Sequence, residues 1–79
     1  MSKFETIGFS LRALERFLKP KIGKEICLDY DMGVLDAGWY TDEVYEILEE
    51  EFGDGMKVLC PDGDQEFPEG VDVLIVCLV

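Results

Sequence analysis

Residues 71–79, VDVLIVCLV, are β-branched and almost unbroken by polar side chains, and in a chain of 79 residues such a run commits the fold to a sheet. It reads as a strand covered on both faces or buried in an interface. It is far too short to span a bilayer. Upstream, residues 56–60 are apolar apart from Lys57, and the turn signals Pro61-Asp62-Gly63-Asp64 and Pro68-Glu69-Gly70 follow. The two runs are expected to pair as an antiparallel hairpin around a long acidic loop.

Two amphipathic segments supply what covers that sheet. Ser10 is placed as an N-cap, Phe9 and Leu14 fit the two ends of a hydrophobic staple, and Pro20 is a stop signal, so the first helix is expected over residues 11–19. Leu11, Leu14, Phe17 and Leu18 form its apolar stripe, with Arg12, Glu15, Arg16 and Lys19 outside. In residues 41–55, TDEVYEILEEEFGDG, Thr41 reads as the N-cap and Gly53-Asp54-Gly55 as the C-cap and turn. At about 100° per residue, Val44, Tyr45, Ile47, Leu48 and Phe52 share one face.

Between the helices, Ile26, Leu28 and Tyr30 alternate with Cys27, Asp29 and Asp31 over residues 25–31, the pattern of a strand with one face on the core. Residues 32–38, with two glycines, read as a loop. Phe4, Ile7 and Phe9 are ambiguous between a short strand and an irregular lead-in. The expectation is one domain, residues 1–79, in the order β-α-β-α-β-β with the first strand open. It is a small α+β sandwich with two helices on one face of a three- or four-stranded, mainly antiparallel sheet.

Charge excludes several classes of partner. Against 7 basic residues stand 18 acidic ones, for a net charge of −11, while a hydrophobic share of 48% is enough for a packed interior. The imbalance is uneven: residues 1–25 hold six basic and three acidic residues, whereas residues 26–79 hold Lys57 and fifteen acids. Such a field disfavours direct nucleic-acid binding and anionic membranes, and attracts basic protein surfaces or divalent cations. With no secretory-type leader at Met1–Ser10, the chain is expected to be cytoplasmic. Cys27, Cys60 and Cys77 are read as three reduced core thiols, the alternative being one disulfide and a thiol left over.

Catalytic chemistry has little to work with. The chain has no histidine, which removes the usual general base and the commonest transition-metal ligand. The cysteines lack C-x-x-C spacing, and Gly53-Asp54-Gly55 follows a helix instead of opening one, so no zinc site, phosphate loop or cofactor is expected. Asp62-Gly63-Asp64-Gln65-Glu66 begins like a calcium loop, but Phe67 stands where that loop needs glycine and Val73 where it needs glutamate. Asp29 and Asp31 share one strand face, which fits either an acid/base or Mg²⁺ pair or, more simply, an exposed polar edge.

The acidic helix is the most informative stretch. Asp42, Glu43, Glu46, Glu49 and Glu50 fall on the arc opposite its apolar face, and Glu51 lies beside the apolar edge, where it is placed for a contact with the cationic first helix. Glu49, Glu50 and Glu51 stand at the negative end of the helix dipole, where each costs about 0.3–1 kcal/mol at low salt. Neighbours at i,i+3 and i,i+4 repel as well. The arrangement fits a surface kept negative for a partner, or a merely solvated face.

In size, in lacking catalytic residues, and in carrying carboxylates over residues 42–51, 29–36 and 62–69, the chain resembles the small acidic inhibitors encoded by phages. These include anti-CRISPR and antirestriction proteins, some of which imitate the phosphates of a nucleic acid. The resemblance lies in size and charge character and not in a motif. It implies that Asp42, Glu43, Glu46, Glu49 and Glu50, with Asp29 and Asp31, would occupy a basic groove on a host nuclease or ribonucleoprotein complex and block its nucleic acid. Two other readings stand beside it: an oligomerising module in which residues 71–79 pair across a two-fold axis, and a cation-binding protein or small carboxylate enzyme. Monomer and homodimer are both left open.

Overall fold

The structure, a computed structural model, describes residues 3–63 and 66–78. Its elements are β1 (Phe4–Phe9), α1 (Leu11–Ile22), β2 (Asp29–Asp31), β3 (Val34–Asp36), a 3-10 turn (Gly38–Tyr40), α2 (Thr41–Phe52), β4 (Lys57–Leu59) and β5 (Val73–Leu78). The fold is α+β, with a three-stranded antiparallel sheet in the order β1-β5-β4 and a separate two-stranded hairpin, β2-β3. Met1, Ser2, Asp64, Gln65 and Val79, which figure in the expectations above, lie outside the described residues.

The valine-rich run forms the central strand. Phe4 pairs with Leu78 and Phe9 with Val73 on one side; Lys57 pairs with Val76 and Leu59 with Leu74 on the other. Because β5 has a neighbour at each edge, pairing across a two-fold axis through its own backbone would require β1 or β4 to leave. That form of the oligomerising reading is corrected here. Val73, Ile75 and Cys77 are buried under the helices, but Leu74 and Val76 are only partly covered and Leu78 is exposed. The strand is therefore covered on one face and not on both.

Helix α1 starts where expected and runs further. Ser10 Oγ accepts from the Ala13 amide at 3.1 Å, and Asp72, arriving from the entry to β5, accepts from the Leu11 amide at 2.9 Å. Two of the orphan amides at the helix N-terminus are thereby satisfied, one of them by a carboxylate that also suits the dipole. Pro20 does not end the helix. It lies in the last turn, where it forfeits a single amide donor, and Gly23 (φ 72°) closes the helix by donating to the Lys19 carbonyl at 2.9 Å. Leu14 and Leu18 are fully buried and pack with Val44, Leu48, Leu35, Val73 and Ile75, each such side chain contributing roughly 1.5–3 kcal/mol of apolar burial.

Expected strand 25–31 survives only as Asp29–Asp31. Ile26 and Leu28 are buried and Cys27 is exposed, so the inward-outward alternation holds, but the Leu28 amide donates to Glu15 Oε2 at 2.8 Å instead of to a strand. Glu15, expected on the outer face of α1, is half-buried by this tether. Cys27 is likewise not a core thiol, whereas Cys60 and Cys77 are. Residues 32–38, expected as loop, contain β3 and the tip of a hairpin. Met32 (φ 51°) and Gly33 (φ 79°) both take positive φ, the geometry of a two-residue type I′ turn. A ring of Phe9, Phe17 and Phe52, with centroids 5.9–6.4 Å apart, ties the end of β1 to both helices.

Candidate functional site

Two kinds of carboxylate can be told apart. Those within reach of the cations on or just after α1 are paired: Lys19 with Glu25 at 3.1 Å, Lys21 with Glu51 at 2.9 Å, and Lys24 with Glu43 at 3.8 Å. Lys21 also sits 4.8 Å from the centre of the Phe17 ring, and Lys24 4.7 Å from that of Tyr40, so both are held against α1 or the entry to α2. The contact expected of Glu51 is present, and Glu43, expected on the open arc, is partly committed to Lys24.

Asp42, Glu46, Glu49 and Glu50 are exposed and make no ion pair among the described residues. Asp42, Glu46 and Glu49 follow one another at i, i+4 and i+7, which stacks them in a single stripe about 11 Å long. The last turn of α2 has no basic residue, and Gly53 caps it by donating to the Glu49 carbonyl at 2.8 Å. The negative end of the helix dipole therefore reinforces the charge of the stripe. Thr41 is not the N-cap. It is the first helical residue, with Tyr40 at the cap position, and its Oγ accepts from the Ala37 amide and donates to the Gly38 carbonyl, both at 2.9 Å.

The hairpin brings further carboxylates to this face. Asp29 stands directly opposite Asp36, and Asp36 Oδ1 accepts from the Gly38 amide at 2.9 Å and lies 3.3 Å from Thr41 Oγ. The Asp29–Asp36 rung thus abuts the start of α2. Asp31 lies one rung nearer the tip, opposite Val34. At the tip itself, a Cβ on Gly33 would come within 3.2 Å of Asp62 Cβ, so the hairpin touches the acidic loop after β4. Asp36 thus lies beside the start of α2, Asp29 and Asp31 share its strand face and Asp62 lies at the hairpin tip, while Asp42, Glu43, Glu46, Glu49 and Glu50 follow along α2. Among the described residues no three carboxylate or thiol groups converge as a metal site.

Sequence reasoning passed over the apolar part of this surface. Trp39, in the 3-10 turn between β3 and α2, is 97% exposed, and Met32 and Val34 at the hairpin tip are 80% and 58% exposed. Val34 shares the outward strand face with Asp36 and Asp31. Trp39 belongs to no helical or strand period, so only its flanking residues, Gly38 before and the helix start after, marked it as a side chain without a core position.

Among the described residues, burial strongly displaces one titration. The Cys60 thiol is pushed up to about 11, first by burial and then by the neighbouring Asp72 carboxylate, so it stays protonated and inert at neutral pH.

The class these features define is a small α+β domain with a segregated acidic face and an exposed tryptophan beside it. Comparison with protein-family models, curated proteins and solved structures finds no match to the chain. No helix among the described residues is long and apolar enough to cross a membrane.

Proposed function

We propose that this chain is a non-enzymatic, cytoplasmic binding module of the anti-CRISPR-like, phage-encoded kind: an inhibitor that lays its carboxylates on a basic, nucleic-acid-binding surface of a host defence complex. The observation that carries this reading is the segregation of charge. Acids that the chain's own cations can reach are bridged, while Asp42, Glu46, Glu49 and Glu50 are left together and unneutralised at the disfavoured end of a helix. A surface needed only for solubility gains nothing from that placement, because interspersed signs serve solubility without the repulsion. Lysines and arginines that hold phosphates also accept carboxylates, and the field of the whole chain speeds the encounter.

Asp29, Asp31, Asp36 and Asp62 extend the contact, and Glu43 takes part by exchanging Lys24 for a partner cation. Trp39 supplies what charge alone does not. An exposed indole in the turn between Asp36 and the start of α2 is the kind of side chain that dominates interface energies, and it gives the docking a fixed register. The missing histidine and the inert buried thiol weigh against a catalytic alternative.

Capture from a bacterial lysate tests the reading. The native chain is expected to retain a basic nucleic-acid-binding protein or ribonucleoprotein that is released by its own nucleic acid. The Glu46→Gln, Glu49→Gln, Glu50→Gln triple variant is expected to lose it. Retention of the same partner by the triple variant at equal salt would overturn the electrostatic contact.

A further inference from the structure

The helices cover only one face of the β1-β5-β4 sheet. On the other, the register aligns Phe4 with Leu78, Lys57 with Val76, and Leu59 with Leu74, and all of these but Leu74 border an open groove of about 590 Å³. Phe4 is 69% exposed and Leu78 51%, although both lie in strands. The outward positions of the three strands hold no carboxylate and a single charge, Lys57, in a chain with 18 acids.

We propose that this face is the contact between two copies of the chain, packed sheet on sheet about a two-fold axis. Three observations favour a second copy as the occupant. Copies bearing a net charge of −11 repel one another through any acidic surface, and the outward positions of this sheet face carry no acid. It sits on the side of the sheet opposite the buried helical layer, so stacking two of them keeps the α2 stripes apart on the outer sides of the pair. Its size also suits a reversible dimer. Two strands of about 20 Å and one of about 10 Å, spaced about 4.8 Å apart, give a footprint near 240 Å², which side-chain relief raises to roughly 400–500 Å² per copy. A total of about 900 Å² exceeds a typical lattice contact and falls in the range of weak, reversible interfaces.

The geometry of the pair follows from the sheet. Two aligned sheets pack about 10 Å apart, with Leu59, Leu74, Val76 and Leu78 of each copy interleaved. Lys57 lays its methylenes along that layer and carries its ammonium to the rim. Both edges of β5 stay hydrogen-bonded within each copy, so dimerisation uses the face and leaves the strand order intact. The assembled pair presents two acidic faces directed away from each other, which makes binding to a repeated basic surface bivalent.

Sedimentation of the full chain from about 5 µM to about 500 µM, at low and high salt, tests the proposal. A monomer–dimer equilibrium is expected that shifts toward dimer as salt rises, because salt screens the repulsion and leaves apolar burial intact. The Leu78→Lys variant makes each copy one unit less negative, yet it is expected to weaken the dimer at least about tenfold, since it puts a charge in place of a leucine of the interleaved layer. Leu59→Lys is the second variant should the first fail to fold. In the unmodified chain, amide shifts that change on dilution are expected to map to β4, β5 and Phe4. A monomer under all conditions, or dilution shifts mapping to Trp39 and α2, would overturn it.

Discussion

Lys21 Nζ lies 2.9 Å from Glu51 Oε1 and 4.8 Å from the centre of the Phe17 ring, so the last turn of α1 is clipped to the last turn of α2 over an aromatic floor. Both partners are partly exposed, and such pairs contribute little. A double-mutant cycle with Lys21→Met and Glu51→Gln, read by urea unfolding, is expected to give a coupling of about 0.3–1 kcal/mol that shrinks in high salt. A coupling that does not change with salt would place the contact in the packing instead.

Asp72 has a larger structural role than any surface acid. Its carboxylate accepts from the Leu11 amide at 2.9 Å, and its own amide donates to the Phe9 carbonyl at 2.8 Å, joining the start of α1 to the entry of β5. Asp72→Ala is expected to lower stability by about 1–2 kcal/mol, and Asp72→Asn by less, because the amide oxygen still accepts. The urea midpoints of the two variants check the order.

The three thiols should divide by reactivity. With a thiol reagent at neutral pH, Cys27 is expected to react at once and Cys60 and Cys77 only on unfolding. The Cys60 pKa is raised, so the folded state holds its proton longer than the unfolded chain does. The stability this gives is fully present below an unfolded pKa of ~8.5 and is lost as pH climbs from there to about 11. Cys60→Ala should flatten that part of the pH–stability curve.

Much of this was legible as pattern. The strand within residues 73–78, the stripes of both helices, the Ser10 cap and the Gly53 stop all rest on local rules, and the structure obeys them. What could not be read locally depends on distant partners. Pro20 reads as a stop until the Gly23 cap is seen to close one more turn. Glu15 reads as solvent-facing until Leu28 returns to it. The β2-β3 hairpin was missed because Met32-Gly33 lacks the Asn-Gly or Asp-Gly pair that announces such a turn. The α2 acids followed from helical period alone, whereas the placing of Asp36 against Thr41 and of Asp62 against Gly33 depends on tertiary contacts. Trp39 had no periodic position to betray it.

Met32 illustrates a local rule broken. A non-glycine residue at φ 51° carries strain of about 1–2 kcal/mol, and its side chain, 80% exposed, recovers none of it by packing. Met32→Asn is expected to raise stability by up to about 1 kcal/mol, seen as a higher melting temperature. If the hairpin tip belongs to the docking face, the same variant weakens partner capture while it stabilises the chain.

The same opposition gives the most direct test of the acidic face. The Glu46→Gln, Glu49→Gln, Glu50→Gln variant removes like charges from the C-terminal half of α2, so its unfolding free energy is expected to rise by about 1–2 kcal/mol at low salt. Measured beside it, affinity for the captured basic partner is expected to fall sharply, and the salt dependence of binding to become shallower. A variant that is both more stable and a weaker binder is the predicted result. Unchanged affinity with an unchanged salt slope would contradict the assignment of this face to binding.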